Sequence, residues 1–151
     1  MKDPFRIGFS GGLLGALIVI VMMYVVQTAG NGELPAFVSH YRAFFPSNPP
    51  FDHVVSALVY ALSGGVWGVL YALTAKNPSM QSGALFGLLP TLWTWLAVAP
   101  VSGRELFHGF TVRGILLPLI YNVLVWGTFL GWYCSRRDAE PGPGIRADAV
   151  G

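Results

Sequence analysis

The sequence predicts an all-α membrane protein: a four-transmembrane-helix bundle with glycine-mediated packing and a short interfacial helix in the first outer loop. Three observations carry this prediction. The chain of 151 residues is 54% hydrophobic and 11% charged, with a mean hydropathy of +0.57, whereas soluble domains carry about 25% charged residues. It contains four apolar runs of the length needed to cross a bilayer, roughly 20 residues. Each run also carries a small-residue motif: Ser10-Gly11-Gly12-Leu13-Leu14-Gly15, Ser63-Gly64-Gly65-Val66-Trp67-Gly68, Ser82-Gly83-Ala84-Leu85-Phe86-Gly87 and Trp126-Gly127-Thr128-Phe129-Leu130-Gly131. Inside lipid, G-x-x-x-G sets two glycines on one helix face and lets a second backbone approach closely.

The first span is expected over residues 7–26. It has a basic start and a Gln27-Thr28-Ala29-Gly30 exit like that of a cleavable leader. Its apolar run exceeds the ~7–15 residues of a leader's core, so retention is expected.

The loop that follows is long. Within it Leu34, Phe37, Val38, Tyr41, Phe44 and Phe45 share one helical face, and Ser39, His40 and Arg42 take the other. Pro35 suits a first turn and Pro46 closes the run. This predicts an interfacial helix over residues 34–45, lying on the outer leaflet as a lid for the bundle or as a docking surface for a partner.

The second, third and fourth spans are expected over 54–73, 83–99 and 112–133. Residues 1–137 then form one transmembrane domain, and 138–151, with Pro141, Gly142, Pro143 and Gly144 and no apolar face, form a disordered cytoplasmic tail. Lys2, Arg6, Lys76, Arg136, Arg137 and Arg146 fall on one side, Arg42, Arg104 and Arg113 on the other. Six against three places both termini in the cytoplasm.

With that orientation the packing glycines, Gly11 and Gly15, Gly64 and Gly68, Gly83 and Gly87, Gly127 and Gly131, all lie in the cytoplasmic half. The outer halves are bulkier, with Met22, Met23 and Tyr24, then Trp93 and Trp95, then Tyr121. Pro90 and Pro118 each remove a helix hydrogen bond and bend their spans, freeing the carbonyls of Phe86 and Gly114. The bundle is therefore expected to be tight inside and more open outside.

Little in the chain points to chemistry. The nine Lys and Arg residues are scattered, so no nucleic-acid partner is expected. The single cysteine, Cys134, reads as a small apolar residue at a helix end. There is no nucleophile–base constellation and no phosphate loop, so the sequence gives no enzyme and no catalytic residue. Asp52, His53, Glu105, His108 and Arg113 form a candidate outer polar cluster. Glu105 and His108 have the E-x-x-H spacing of a metal-ligand pair, but no second copy exists and no metal site is expected. The plain reading pairs Glu105 with Arg104 or Arg113. His53 and His108 together are candidates for holding haem, or a quinone with Trp93 and Trp95. Asn122, with Tyr60 and Tyr121, is the candidate buried polar group, bonding across helices.

The segment from His53 to Tyr71, with Tyr60, Gly64 and Gly68, and the span that holds Gly83 and Gly87 and ends near Pro100 resemble small four-span bacterial inner-membrane proteins of unassigned function, the YagU-like group. The likeness covers about half the chain. It implies a four-helix protein of the bacterial inner membrane and no established reaction.

Three functions remain open on these residues. The first is an accessory or structural subunit of a larger membrane complex, with a membrane-protein partner or self-association through the glycine faces. The second is a small solute transporter or channel acting as a homo-oligomer, although transport sites usually carry ionisable groups within the membrane. The third is a haem- or quinone-associated protein.

Overall fold

The computed structural model describes residues 3–30 and 34–139. All regular structure among them is helical. Helix α1 spans Pro4–Ala29, α2 Ala36–Arg42, α3 Phe51–Thr74, α4 Met80–Val101 and α5 Val112–Asp138. Helices α1, α3, α4 and α5 are each long and apolar enough to cross a membrane. All four extend past the expected spans, and side-chain caps fix three of their starts. The Asp3 carboxylate accepts from the Arg6 N–H at 3.0 Å, with Pro4 in the first turn. Ser79 and Ser82 form a reciprocal capping box that starts α4 at Met80 rather than at Gly83. The Tyr71 hydroxyl meets Ser82 Oγ at 2.7 Å and ties α3 to this cap. The Thr111 hydroxyl accepts from the Gly114 N–H and starts α5.

The helices form two antiparallel pairs. In α1–α3, a Cβ placed on Gly12 would run into the carbonyl oxygen of Gly64, and one on Gly68 into that of Gly8. In α4–α5, Gly83 meets the carbonyl of Gly127 and Gly87 that of Asn122, while Gly131 meets that of Ser79. Between the pairs the contact is different. Gly11 faces the Tyr133 ring and Leu130, and Gly15 faces Trp126 and Phe129. Helix α1 thus carries two interleaved glycine pairs. Gly8 and Gly12 take a backbone, whereas Gly11 and Gly15 take side chains. The Trp126 indole N–H donates to the Gly12 carbonyl at 2.9 Å and joins α5 to α1.

These contacts lie toward one end, which holds Pro4, the 75–79 connection and Arg136 (the terminal end). The Phe86 ring stands edge-on to Trp67 and Tyr71 there and brings α4 to α3. The other end holds α2 and the 102–111 connection (the loop end). Toward it the pairs diverge. Both prolines contribute to this. Thr94–Val98 follows Pro90, and Ile120–Gly127 follows Pro118, and both stretches are π-helical. A π stretch admits an extra residue per turn and shifts the faces of the helix, which is common beside functional sites.

Two expectations about the loop end change. The helix expected over 34–45 is shorter: α2 stops at Arg42, and Phe44 and Phe45 beyond it are exposed. Its polar face is also not turned to solvent. Arg42 and His40 point into the protein, as set out below, because α2 lies across the mouth of the bundle with Phe37 and Val38 buried beneath it. Cys134 is fully buried within α5 rather than at its end. The tail reading falls largely outside the described residues, and Asp138 itself still belongs to α5.

Candidate functional site

The divergence of the helix pairs leaves a cavity of about 1250 Å³ in the loop-end half of the bundle. Its floor is Ala16, Gly64, Trp67 and Trp126, where the glycine contacts begin. Its walls are Val55, Val59 and Tyr60 from α3, Trp93 and Val98 from α4, and Leu117, Tyr121 and Asn122 from α5. The two π-helical stretches therefore both face it. Its roof is α2, with Phe37 and Tyr41, and the 102–111 connection. Val59 is 59% and Trp93 56% exposed although both line the cavity. They mark its open rim between α3 and α4.

Polar groups concentrate at the roof. Ser39, His40, Arg104, Glu105, His108, Thr111 and Arg113 all line the cavity. The roof is tied down at two points. Arg42 Nε donates to Asp52 Oδ2 at 2.5 Å, joining α2 to α3, and Asp52 is fully buried. Arg104 Nη2 donates to Ser39 Oγ at 2.9 Å, joining α2 to the 102–111 connection. Asp52 also accepts from the His53 N–H at 2.8 Å, so its carboxylate is satisfied on both oxygens.

The His40 and His108 ring centroids lie 6.0 Å apart. His40 Nε2 is buried and has no hydrogen-bond partner among the described residues. Burial holds the His40 ring down to about 4, helped by the Arg104 guanidinium and by His108. His108 is lowered for the same reasons, burial first and then Arg104. Both rings are neutral at pH 7.

The connection that carries His108 is left-handed. Phe107, His108 and Phe110 have φ of 52°, 52° and 54°, and Gly109 has 66°. A left-handed conformation costs roughly 1–2 kcal/mol per non-glycine residue. Two contacts offset it: the Phe107 ring packs on Trp95 at 5.3 Å, and His108 meets His40. The Glu105 carboxylate folds back against Gly109.

The candidate outer cluster is divided by this arrangement. Glu105, His108 and Arg113 line the large cavity. Asp52 is engaged by Arg42. His53 faces away, its Nδ1 2.9 Å from the Tyr24 hydroxyl, beside a shallow depression formed with Leu17, Ile20 and Leu58. His53 and His108 are not brought together: His108 lines the large cavity and His53 this depression. Of the two tryptophans considered with them, Trp93 lines the cavity, and Trp95 is buried with its indole N–H on the Gly114 carbonyl. Tyr60, Tyr121 and Asn122 do converge, all on the cavity wall. Gly64 is the packing glycine that reaches the cavity floor.

Sequence reasoning missed His40 as a site residue and placed it only with Ser39 and Arg42 on the polar face of the expected interfacial helix. The helical wheel of α2 shows two faces and does not say that both are covered. It also passed over the Gly8 and Gly12 pair, although the G-x-x-x-G spacing is present in the sequence. Among the described residues no group of three or more His, Cys, Asp or Glu side chains is placed to hold a metal ion. Comparison with protein-family models, with curated proteins and with solved structures gives no match.

Proposed function

We propose that this is a small integral membrane protein whose loop-end chamber holds one amphipathic, lipid-like molecule taken laterally from the bilayer. The observation that carries the reading is the chamber itself: about 1250 Å³ lined by all four long helices and open at one rim. Ligand sites usually span about 300–1,000 Å³, with apolar walls and a few convergent polar groups. Here aromatic and aliphatic walls run to a polar roof, which is the chemical profile of an amphiphile. The rim at Val59 and Trp93 opens toward the space that acyl chains would occupy. A purely structural bundle gains nothing from such a void, since cavities in packed interiors are destabilising. The excess of Lys and Arg at the terminal end supports cytoplasmic termini, and with that orientation the chamber belongs to the outer leaflet.

The test is extraction of the full-length protein from its host membrane in a mild detergent, followed by organic extraction and mass spectrometry. The expected result is one amphiphile at near-equimolar amount. Val59→Trp, which fills the rim, should reduce it several-fold without unfolding the protein. Recovery of bulk lipid only, in the same proportions with and without Val59→Trp, overturns the reading.

A further inference from the structure

We propose that the molecule in the chamber has an anionic phosphate head, held between the Arg104 guanidinium and the His40 ring, with its acyl chains leaving between α3 and α4. This rests on the amphiphile reading of the chamber and assigns the head.

Three observations lead to it. First, His40 Nε2 is buried at the chamber roof without a partner among the described residues. Buried polar side-chain atoms are bonded in the large majority of cases, and an exception calls for a missing partner. Second, Arg104 lines the same roof. A guanidinium offers five N–H donors, and one of them reaches Ser39. Third, the charge at the roof is cationic. Arg104 and Arg113 line the chamber against one carboxylate, Glu105, while the other nearby carboxylate, Asp52, is taken by Arg42. Arginine is the side chain best matched to phosphate oxygens.

The chamber's form selects a lipid over a free anion. A soluble phosphate would need the roof alone, whereas the chamber continues past Tyr60 to Trp67 and Trp126. A neutral head such as a quinone would use the His40 nitrogen but would bring no charge to complement the Arg104 guanidinium. Burial first, and then the Arg104 field, suppress protonation of the His40 ring; an anion at the roof would cancel the Arg104 part and favour a proton on Nε2, which could then donate to a phosphate oxygen.

The experiment uses the full-length protein in an uncharged detergent, with retention read by native mass spectrometry. The probes are phosphatidic acid, a diacylglycerol with the same chains, and inorganic phosphate. Phosphatidic acid should be retained at least about tenfold over diacylglycerol, a 1.4 kcal/mol preference. Arg104→Gln should remove that preference. Ser39→Ala, which releases the roof tie but leaves the charge, should keep it, as should Lys76→Gln at the terminal end. Millimolar inorganic phosphate should not displace the lipid. Equal retention of the two lipids overturns the anionic head and leaves the amphiphile reading standing. Retention of neither overturns both. A preference that survives Arg104→Gln, or is lost equally in Ser39→Ala, overturns the assigned site. Displacement by inorganic phosphate overturns the lipid as its source.

Discussion

The indole N–H of Trp95 donates to the carbonyl of Gly114 at 3.2 Å, the carbonyl that Pro118 leaves without its helical donor. One residue bends α5 and another, on α4, satisfies the group the bend exposes. In a dry interior an unmet carbonyl is costly, so the two residues are energetically coupled.

That coupling is measurable. Trp95→Phe should cost about 1 kcal/mol in reversible unfolding from detergent micelles. In a Pro118→Ala background, position 118 regains an N–H for Gly114, and the same change should cost less than half as much. Equal costs in both backgrounds would refute the coupling.

The glycines of α1 should differ by face. An alanine at Gly12 meets backbone, the Gly64 carbonyl and the Gly68 Cα. Backbone cannot turn aside, and overpacking of this kind costs about 1–3 kcal/mol. An alanine at Gly11 meets the Tyr133 ring, which can rotate. Gly12→Ala should therefore lower stability by at least about 2 kcal/mol and Gly11→Ala by less than about 1 kcal/mol. The same unfolding assay ranks them.

The Arg42–Asp52 pair should behave as a buried ion pair. Removing one partner strands a charge, while replacing both with apolar groups of similar volume is often tolerated. Arg42→Met should lower the Tm more than the double change Arg42→Met with Asp52→Leu. The reverse order would show that Asp52 is solvated and the pair merely incidental.

His40 sets an acid limit. Its ring titrates near 4 in the folded protein instead of at the ordinary 6.5. The charged groups lining the chamber with it are Arg104, Glu105 and Arg113, with His108 titrating nearby and Tyr60 and Tyr121 on the walls; Arg42 lies on its own helix. Because the unfolded chain takes up the proton first, stability is full above pH 6.5 and falls as pH drops toward 4, by up to about 3 kcal/mol. His40→Gln should flatten that limb. An unchanged pH profile in this variant would remove His40 as its source.

The four long helices were legible because lipid imposes a simple rule: about 20 apolar residues per crossing. The splaying toward one end also followed from composition, since glycine collects toward one end and Trp93, Pro90 and Pro118 toward the other. What was not legible depends on tertiary placement. Asp52 was assigned to an outer loop because nothing local says that Arg42 will fold over it. The Trp126–Gly12 bond joins residues far apart in the chain and leaves no periodic trace. The candidate polar cluster mixed two separate settings, His53 against Tyr24 and His108 against His40, since proximity to one membrane face does not fix which way a ring turns.

The distribution of glycine contacts also has a mechanical consequence. Within each helix pair backbone lies on backbone, which leaves no slack for sliding. Across the pairs, the rings of Trp126, Phe129 and Tyr133 lie on Gly15 and Gly11, and rings can pivot. The molecule is thus two stiff leaves joined at the terminal end, by these rings between α1 and α5 and by Phe86 and the Tyr71–Ser82 bond between α3 and α4, and the chamber is the angle between them. Arg42 and Asp52 fasten α2 to the first leaf, so the Ser39–Arg104 bond is a latch across the free edge.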